Sequence, residues 1–306
     1  YRRKFEGEIM TVINAAHNKN TVSLVGDLQM SGPRRKSFNG DKLYVDTFPG
    51  TISGITGHYF FIDEAIGNVS LPKDYTPKQV SEQIYCSLRD LKNQKISCKL
   101  DSAFGLTIED LVRGHKKEDK VDETIIKSLQ QALTEEQGQF KEYLSNEVIT
   151  VGFNGRTPEI YTATPLTHDK VALNFMTVGS GSDLSSQSLN EFYETIKDPN
   201  SLSTSKMIEQ SVLAKFKSEK NMGVGGTSDI AYIKRGCEPV MIGKAESVLF
   251  EEIIKGKYNN LIGTRVANRG LDDIINGATF EEVEPTIFDE NPKSRKLELY
   301  LRSYRI

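Results

Sequence analysis

TVINAAHNKNTVSLVGD, residues 11–27, reads as two short strands around a polar turn. Residues 11–16 and 21–26 are rich in β-branched and apolar side chains, and His17-Asn18-Lys19-Asn20 separates them. Such side chains suit a pleated, half-buried surface, and a polar break of this length closes a hairpin. Two strands of equal length joined by a tight turn bring the chain back to its starting level. Thr11, which opens the first strand, and Asp27, which follows the second, are therefore expected side by side.

Outward from the hairpin, residues 31–40 form a loop rich in Gly, Pro and basic side chains. Two further strand-like runs follow at 42–47 and 51–55, split by the turn signal Pro49-Gly50. Thr76-Pro77 then reads as the cap and first residue of a helix reaching to about Lys92. Val80, Ile84, Leu88 and Leu91 fall at helical spacing along it. From about Thr107 to Asn146 the chain is charged and helix-prone, with Leu129, Ala132, Leu133 and Phe140 along one side. The whole block at about 73–146 reads as a helical insertion with exposed faces.

Strand character returns at 148–153, 159–164 and 170–178, and helices are predicted over 182–197 and 203–220. In the second of these, Ile208, Val212 and Phe216 make a stripe that reads as core. A last strand at 228–234 precedes Gly236, and the tail after 243 mixes helix-like and extended pieces without an assigned place. Blocks of strands and helices in this order predict an α+β fold of two stacked antiparallel sheets flanked by helices, not a doubly wound parallel sheet.

The bulk numbers narrow the function. A 306-residue chain with 37% hydrophobic and 26% charged residues, interleaved in sign to a net −3, has no phosphate-binding face; nucleic acid is not expected as a partner. The longest apolar runs, such as 171–178, are too short to cross a bilayer, so no membrane partner is expected. Residues 1–10 hold three basic residues and no apolar core of signal-peptide length. Cys86, Cys98 and Cys237 are odd in number and lack CxxC spacing, as reduced cysteines of a cytoplasmic protein would.

Familiar catalytic signals are missing. The sequence has no phosphate loop, no HExxH and no clustered zinc spacing, so neither cofactor nor metal is expected. GxSxG is absent, although Gly179-Ser180-Gly181-Ser182 looks similar. His17, His58, His115 and His168 are scattered and give a Ser–His–Asp triad no support. Taken singly, Asp27 reads as a turn cap, Lys42 as an exposed strand-end lysine and Ser180 as a helix cap.

Taken together, six segments in order resemble the proteasome β-subunit family and its bacterial proteasome-like relatives. They are Thr11-Val12-Ile13, Val25-Gly26-Asp27, Asp41-Lys42-Leu43, the run from Thr51 to Gly57, Val178-Gly179-Ser180-Gly181-Ser182, and the run from Gly225 to Tyr232. The resemblance implies a four-layer αββα N-terminal-nucleophile sandwich over 11–242, with the helical insertion inside it and a C-terminal extension at 243–306. It also implies a threonine peptidase site. Thr11 would be the nucleophile and its own freed α-amine the base, with an unperturbed pKa of roughly 7.7–8.0. Lys42 would help keep that amine neutral, and Asp27 would hold Lys42 charged and in place. The Gly54 N–H would stabilise the oxyanion, and Ser180 and Asp229 would complete the hydrogen bonds around the amine. A peptide or protein substrate, a homo-oligomer and an unfoldase partner follow from the same likeness.

Two features depart from the family pattern. Ten residues precede Thr11, and while the Met10–Thr11 bond is intact there is no free α-amine. Residues 1–10 are a propeptide of a zymogen, an artificial extension ahead of a natural start at Met10, or a retained part of a chain that never processes. The glycine that often precedes the family's nucleophile is absent, Met10 standing in its place. The chain is also longer than family subunits, by the insertion and the tail. The expected function is threonine-dependent hydrolysis of peptide or amide bonds. The alternatives are a non-catalytic proteasome-like scaffold and a small-molecule amidohydrolase.

Overall fold

The computed structural model describes residues 11–27, 42–113, 115–116, 119–120, 123–134, 140–220, 224–291 and 294–302. The segment 1–10, the loop at 31–40 and Asp41 lie outside the described residues.

The expected hairpin is present as β1 (Ile13–His17) and β2 (Thr21–Asp27), antiparallel with Ile13 opposite Gly26. Its turn is closed by Asn18, whose side-chain oxygen accepts from the N–H groups of Asn20 and Thr21, both at 2.7 Å. That is the local bond that favours Asn at turns. The chain continues through β3 (Leu43–Tyr44), β4 (Thr51–Thr56), α1 (Tyr59–Gly67) and α2 (Pro77–Phe104). Thr76 and Gln79 form a capping box at the start of α2, with Pro77 as its first residue, and Gly105 ends it in the left-handed region at φ 60. Next come α3 (Ile108–Arg113), a minimal ribbon of β5 (His115–Lys116) and β6 (Asp119–Lys120), α4 (Glu123–Thr134) and α5 (Lys141–Leu144). Strands β7 (Glu147–Asn154), β8 (Thr157–Ala163), β9 (His168–Lys170) and β10 (Phe175–Val178) lead to α6 (Ser182–Glu194) and α7 (Thr204–Ser218). The last part holds β11 (Ser228–Lys234), β12 (Val240–Met241), α8 (Lys244–Tyr258), α9 (Thr264–Ile275), α10 (Phe280–Asp289) and α11 (Ser294–Arg302).

The fold is mixed α+β with two antiparallel five-stranded sheets. The first runs β10-β1-β2-β11-β12 and the second β3-β4-β7-β8-β9. Their facing sides share one core, in which Ile13, Leu24 and Ala231 of the first meet Ile52, Ile149 and Ile160 of the second. Burying a side chain of this size stabilises the fold by roughly 1.5–3 kcal/mol. On the other side of the second sheet, Val80, Ile84 and Leu88 of α2 pack with Ile55, Val148 and Ala163. The far half of α2 leaves the sheet, and its Ile96 and Leu100 form a separate small cluster with Leu129 and Phe140. Against the first sheet, α7 brings Ile208 and Val212 to Val25 and Ile230, as the sequence stripe predicts. Helices α8, α9 and α10 join the same cluster, which gives the unassigned tail its place.

One predicted strand is two. The run 170–178 is split between β9, which pairs with β8 of the second sheet, and β10, which pairs with β1 of the first. Alternating hydrophobicity is satisfied equally by either sheet, so the pattern cannot reveal where the chain crosses between them.

Candidate active site

The hairpin register builds the site. With Ile13 opposite Gly26, Val12 falls opposite Asp27, and the Asp27 N–H donates to the Val12 carbonyl at 3.2 Å. This turns the Asp27 side chain back across the start of β1. Its Oδ1 accepts from the Val12 N–H at 2.9 Å and from the Thr11 hydroxyl in a short hydrogen bond. Lys42, immediately before β3, completes the group: its Nζ lies 2.7 Å from Thr11 Oγ1 and 3.0 Å from Asp27 Oδ1. Thr11 and Asp27 have no exposed surface and Lys42 only 2%, so the ion pair works in a medium where charge interactions are strong.

Burial pushes Lys42 below the ordinary lysine value. Asp27 and, more weakly, Asp229 pull it back up, while the positive charge of Lys215 adds to the depression. A lysine so placed releases its proton more readily than one in water.

The Thr11 backbone is held from the other side. Its N–H donates to Ser180 Oγ at 2.9 Å, and its carbonyl accepts from the Gly181 N–H at 3.1 Å and from Ser180 Oγ at 3.3 Å. The approach depends on Gly179, at φ 95, where a Cβ would collide with the Thr11 carbonyl. Ser180 is thus on the nitrogen that would become the α-amine. Asp229, opposite Gly26 in the β2–β11 ladder, contributes its charge at Lys42.

Gly54 occupies a different position from the one expected. Ile55 donates its N–H to the Lys42 carbonyl at 3.0 Å, across the β3–β4 pair. Successive N–H groups in a strand point to opposite sides, so that of Gly54 turns toward its β7 partner, Ile149. Gly54 is also closely packed: a Cβ there would sit 3.1 Å from Ile13 and 3.2 Å from Leu43. Of the six expected residues, Thr11, Asp27, Lys42 and Ser180 share direct contacts, Asp229 acts through its charge, and Gly54 packs behind them.

Sequence reasoning missed a second layer. The Gly225 N–H points at Asp27 Oδ2 from 3.4 Å, and the segment after it is fastened to Lys215 of α7 and Glu251 of α8. Lys215 offered a signal, since it lies seven residues after Ile208 and three after Val212, on the stripe read as core. A lysine on the buried face of a helix needs a partner. Glu251, in the unassigned tail, offered none.

No known family model matches this chain, and no curated protein matches it either.

Proposed function

We propose that this chain is a threonine-dependent hydrolase of peptide or other amide bonds, built on a proteasome-type N-terminal-nucleophile sandwich of αββα layers. The observation that carries the reading is Thr11 Oγ1 lying between the Lys42 ammonium and the Asp27 carboxylate, all three buried. A hydroxyl in that position can lose its proton with a cation ready to stabilise the oxygen left behind.

Once residues 1–10 are released, the Thr11 nitrogen becomes an amine beside its own hydroxyl, with Ser180 Oγ as its neighbour. The amine takes the Oγ1 proton as Oγ1 attacks the substrate carbonyl. The proton then passes to the leaving amine, an acyl ester remains on Thr11, and water cleaves it. Lys42 stays near the oxygen throughout and disfavours protonation of the amine. Processing is central to this proposal, because the sequence carries Met10 directly on the Thr11 nitrogen.

Intact mass and N-terminal sequencing of the protein made in its own cell give the first test. A mature chain beginning at Thr11, inactive as Thr11→Ala with its fold retained, supports the enzyme. Activity in a chain verified to begin at Tyr1 removes it.

The closed site favours one second reading, a non-catalytic scaffold that keeps residues 1–10. Thr11 has no exposed surface, so a substrate reaches it only after something covering it moves or is removed. The scaffold reading expects an intact Met10–Thr11 bond and no acylation of Thr11 by a β-lactone. Assembly with further copies, feeding by an unfoldase and a cytoplasmic location belong to the enzyme proposal. Among the described residues, no helix is long and apolar enough to cross a membrane.

A further inference from the structure

Helix α8 comes from the tail that no motif explained, yet one of its side chains reaches toward the candidate site. We propose that the buried Lys215–Glu251 pair is a positioning device for the Thr11 cluster, acting through the chain segment from Gly225 to Ser228. The inference rests on the reading of Thr11 as a nucleophile and extends that reading to α7 and α8.

The contacts run in one direction. Lys215 has no exposed surface and Glu251 only 2%. The Lys215 ammonium donates to Glu219 at 2.7 Å, to Glu251 Oε1 at 3.3 Å and to the carbonyl of Gly226. Glu251 Oε1 also accepts from the Ser228 N–H at 2.8 Å and from Ser228 Oγ at 2.5 Å. The cation thus fixes a carbonyl and the anion an N–H on either side of Thr227. This pinned segment begins with Gly225, whose N–H points at Asp27 Oδ2, and its Ser228 stands opposite Asp27 in the β2–β11 ladder. The other oxygen of Asp27 holds the Thr11 hydroxyl. Four links therefore join a helix after residue 243 to the candidate nucleophile.

Space filling alone does not explain the pair. Two apolar side chains would fill the same space without the desolvation penalty of a buried ion pair. Only the charged pair satisfies both the Gly226 carbonyl and the Ser228 N–H, which would otherwise be buried without partners. Lys215 itself is pulled down by burial, but Glu251 and Glu219 more than offset this and keep it charged. Its charge is felt at Lys42, where it opposes Asp27 of β2 and Asp229 of β11.

Two signs distinguish positioning and charge from bulk. Lys215→Met removes a cation and raises the Lys42 titration midpoint. Glu251→Gln releases the Ser228 N–H and slows Thr11 acylation. The midpoint is read by NMR with labelled lysine and Thr11 acylation by a β-lactone by intact mass, both on chains verified to begin at Thr11. Lys215→Met leaves the buried Glu251 carboxylate without its cation and is at risk of not folding, so the double variant Lys215→Met with Glu251→Leu is made as well. It keeps the net charge, and with the Lys215 cation gone the Lys42 midpoint rises as in Lys215→Met. It is expected to slow acylation about tenfold, since a displacement on the order of an ångström can cost up to ~100-fold. A double variant acylated at the wild-type rate overturns the proposal, as does a folded Lys215→Met that leaves both the Lys42 midpoint and the acylation rate in place. If a wild-type chain verified to begin at Thr11 resists the β-lactone, the nucleophile reading of Thr11 fails; a reactive wild type with an equally reactive double variant overturns the positioning role alone.

Discussion

Lys42 Nζ and Asp27 Oδ1 are 3.0 Å apart with almost no solvent on either, and Thr11 Oγ1 touches both. A buried pair of this kind resists the loss of one member more than the loss of both. Removing Lys42 leaves a carboxylate without its counter-ion, and removing Asp27 leaves an ammonium in a place water does not reach. Lys42→Met and Asp27→Leu, each alone, are expected to destabilise the chain by roughly 3–5 kcal/mol. The double variant should be destabilised by less than either single. Urea unfolding at pH 7 measures all three, and strictly additive losses would show that the two charges do not depend on one another.

The depressed Lys42 predicts a direction in pH. In the unfolded chain this lysine holds its proton up to the ordinary value, whereas burial makes the folded chain give it up earlier. Between those two points the unfolded state binds more protons, so stability rises with pH across the window. Thr11 acylation should fall through the same window as Lys42 loses the charge that stabilises Oγ1. Lys42→Met should acylate slowly at every pH and lack that alkaline decline. Stability that falls steadily from pH 8 to pH 10 in the wild type, and not in Lys42→Met, would contradict the assignment.

Gly179 tests how finely the nucleophile is placed. Its φ of 95 is a conformation that side chains disfavour, and a Cβ there would meet the Thr11 carbonyl. Gly179→Ala is expected to cost at least about 1 kcal/mol through the backbone alone. The collision should also displace Thr11 from Ser180 and Lys42. Acylation should therefore fall further than the stability loss explains, which rate and unfolding measurements on the same variant can separate.

Much of the site was legible because local chemistry specified it. Residues 11–27 carry their own hairpin, and a hairpin fixes which residues end up opposite each other; that placed Thr11 beside Asp27 before any long-range contact was known. Lys42 and Ser180 came from the family likeness, and the geometry brings both to Thr11. Gly54 was read from its motif alone. Which way a strand N–H points depends on the register with both neighbours, and no single segment contains that information. The Lys215–Glu251 link was hidden for a similar reason. Its partners are 36 residues apart on separate helices; Lys215 stands on the core stripe and so calls for a partner, but nothing points to Glu251 until α7 and α8 are packed. The split of 170–178 into β9 and β10 belongs with these, since both sheets accept the same alternation.

Glu147 provides a prediction independent of any catalytic reading. It opens β7 opposite Thr56, and burial alone pushes its carboxyl up to about 7. In β7, Ile149 and Val151 face the core between the sheets, so Glu147 starts the same inward row. The folded chain holds the Glu147 proton where the unfolded chain has already released it. The stability tied to that proton is complete below the ordinary carboxylate range and is lost as pH rises through about 7. The loss is up to about 3 kcal/mol by the usual conversion, reduced where water reaches the half-buried group. Glu147→Gln, which cannot ionise, should match the wild type near pH 4 and exceed it at pH 8. Urea midpoints taken at both values decide the matter: an equal gain at the two pH values would mean that the amide stabilises by packing, and that the buried carboxyl does not carry the pH dependence.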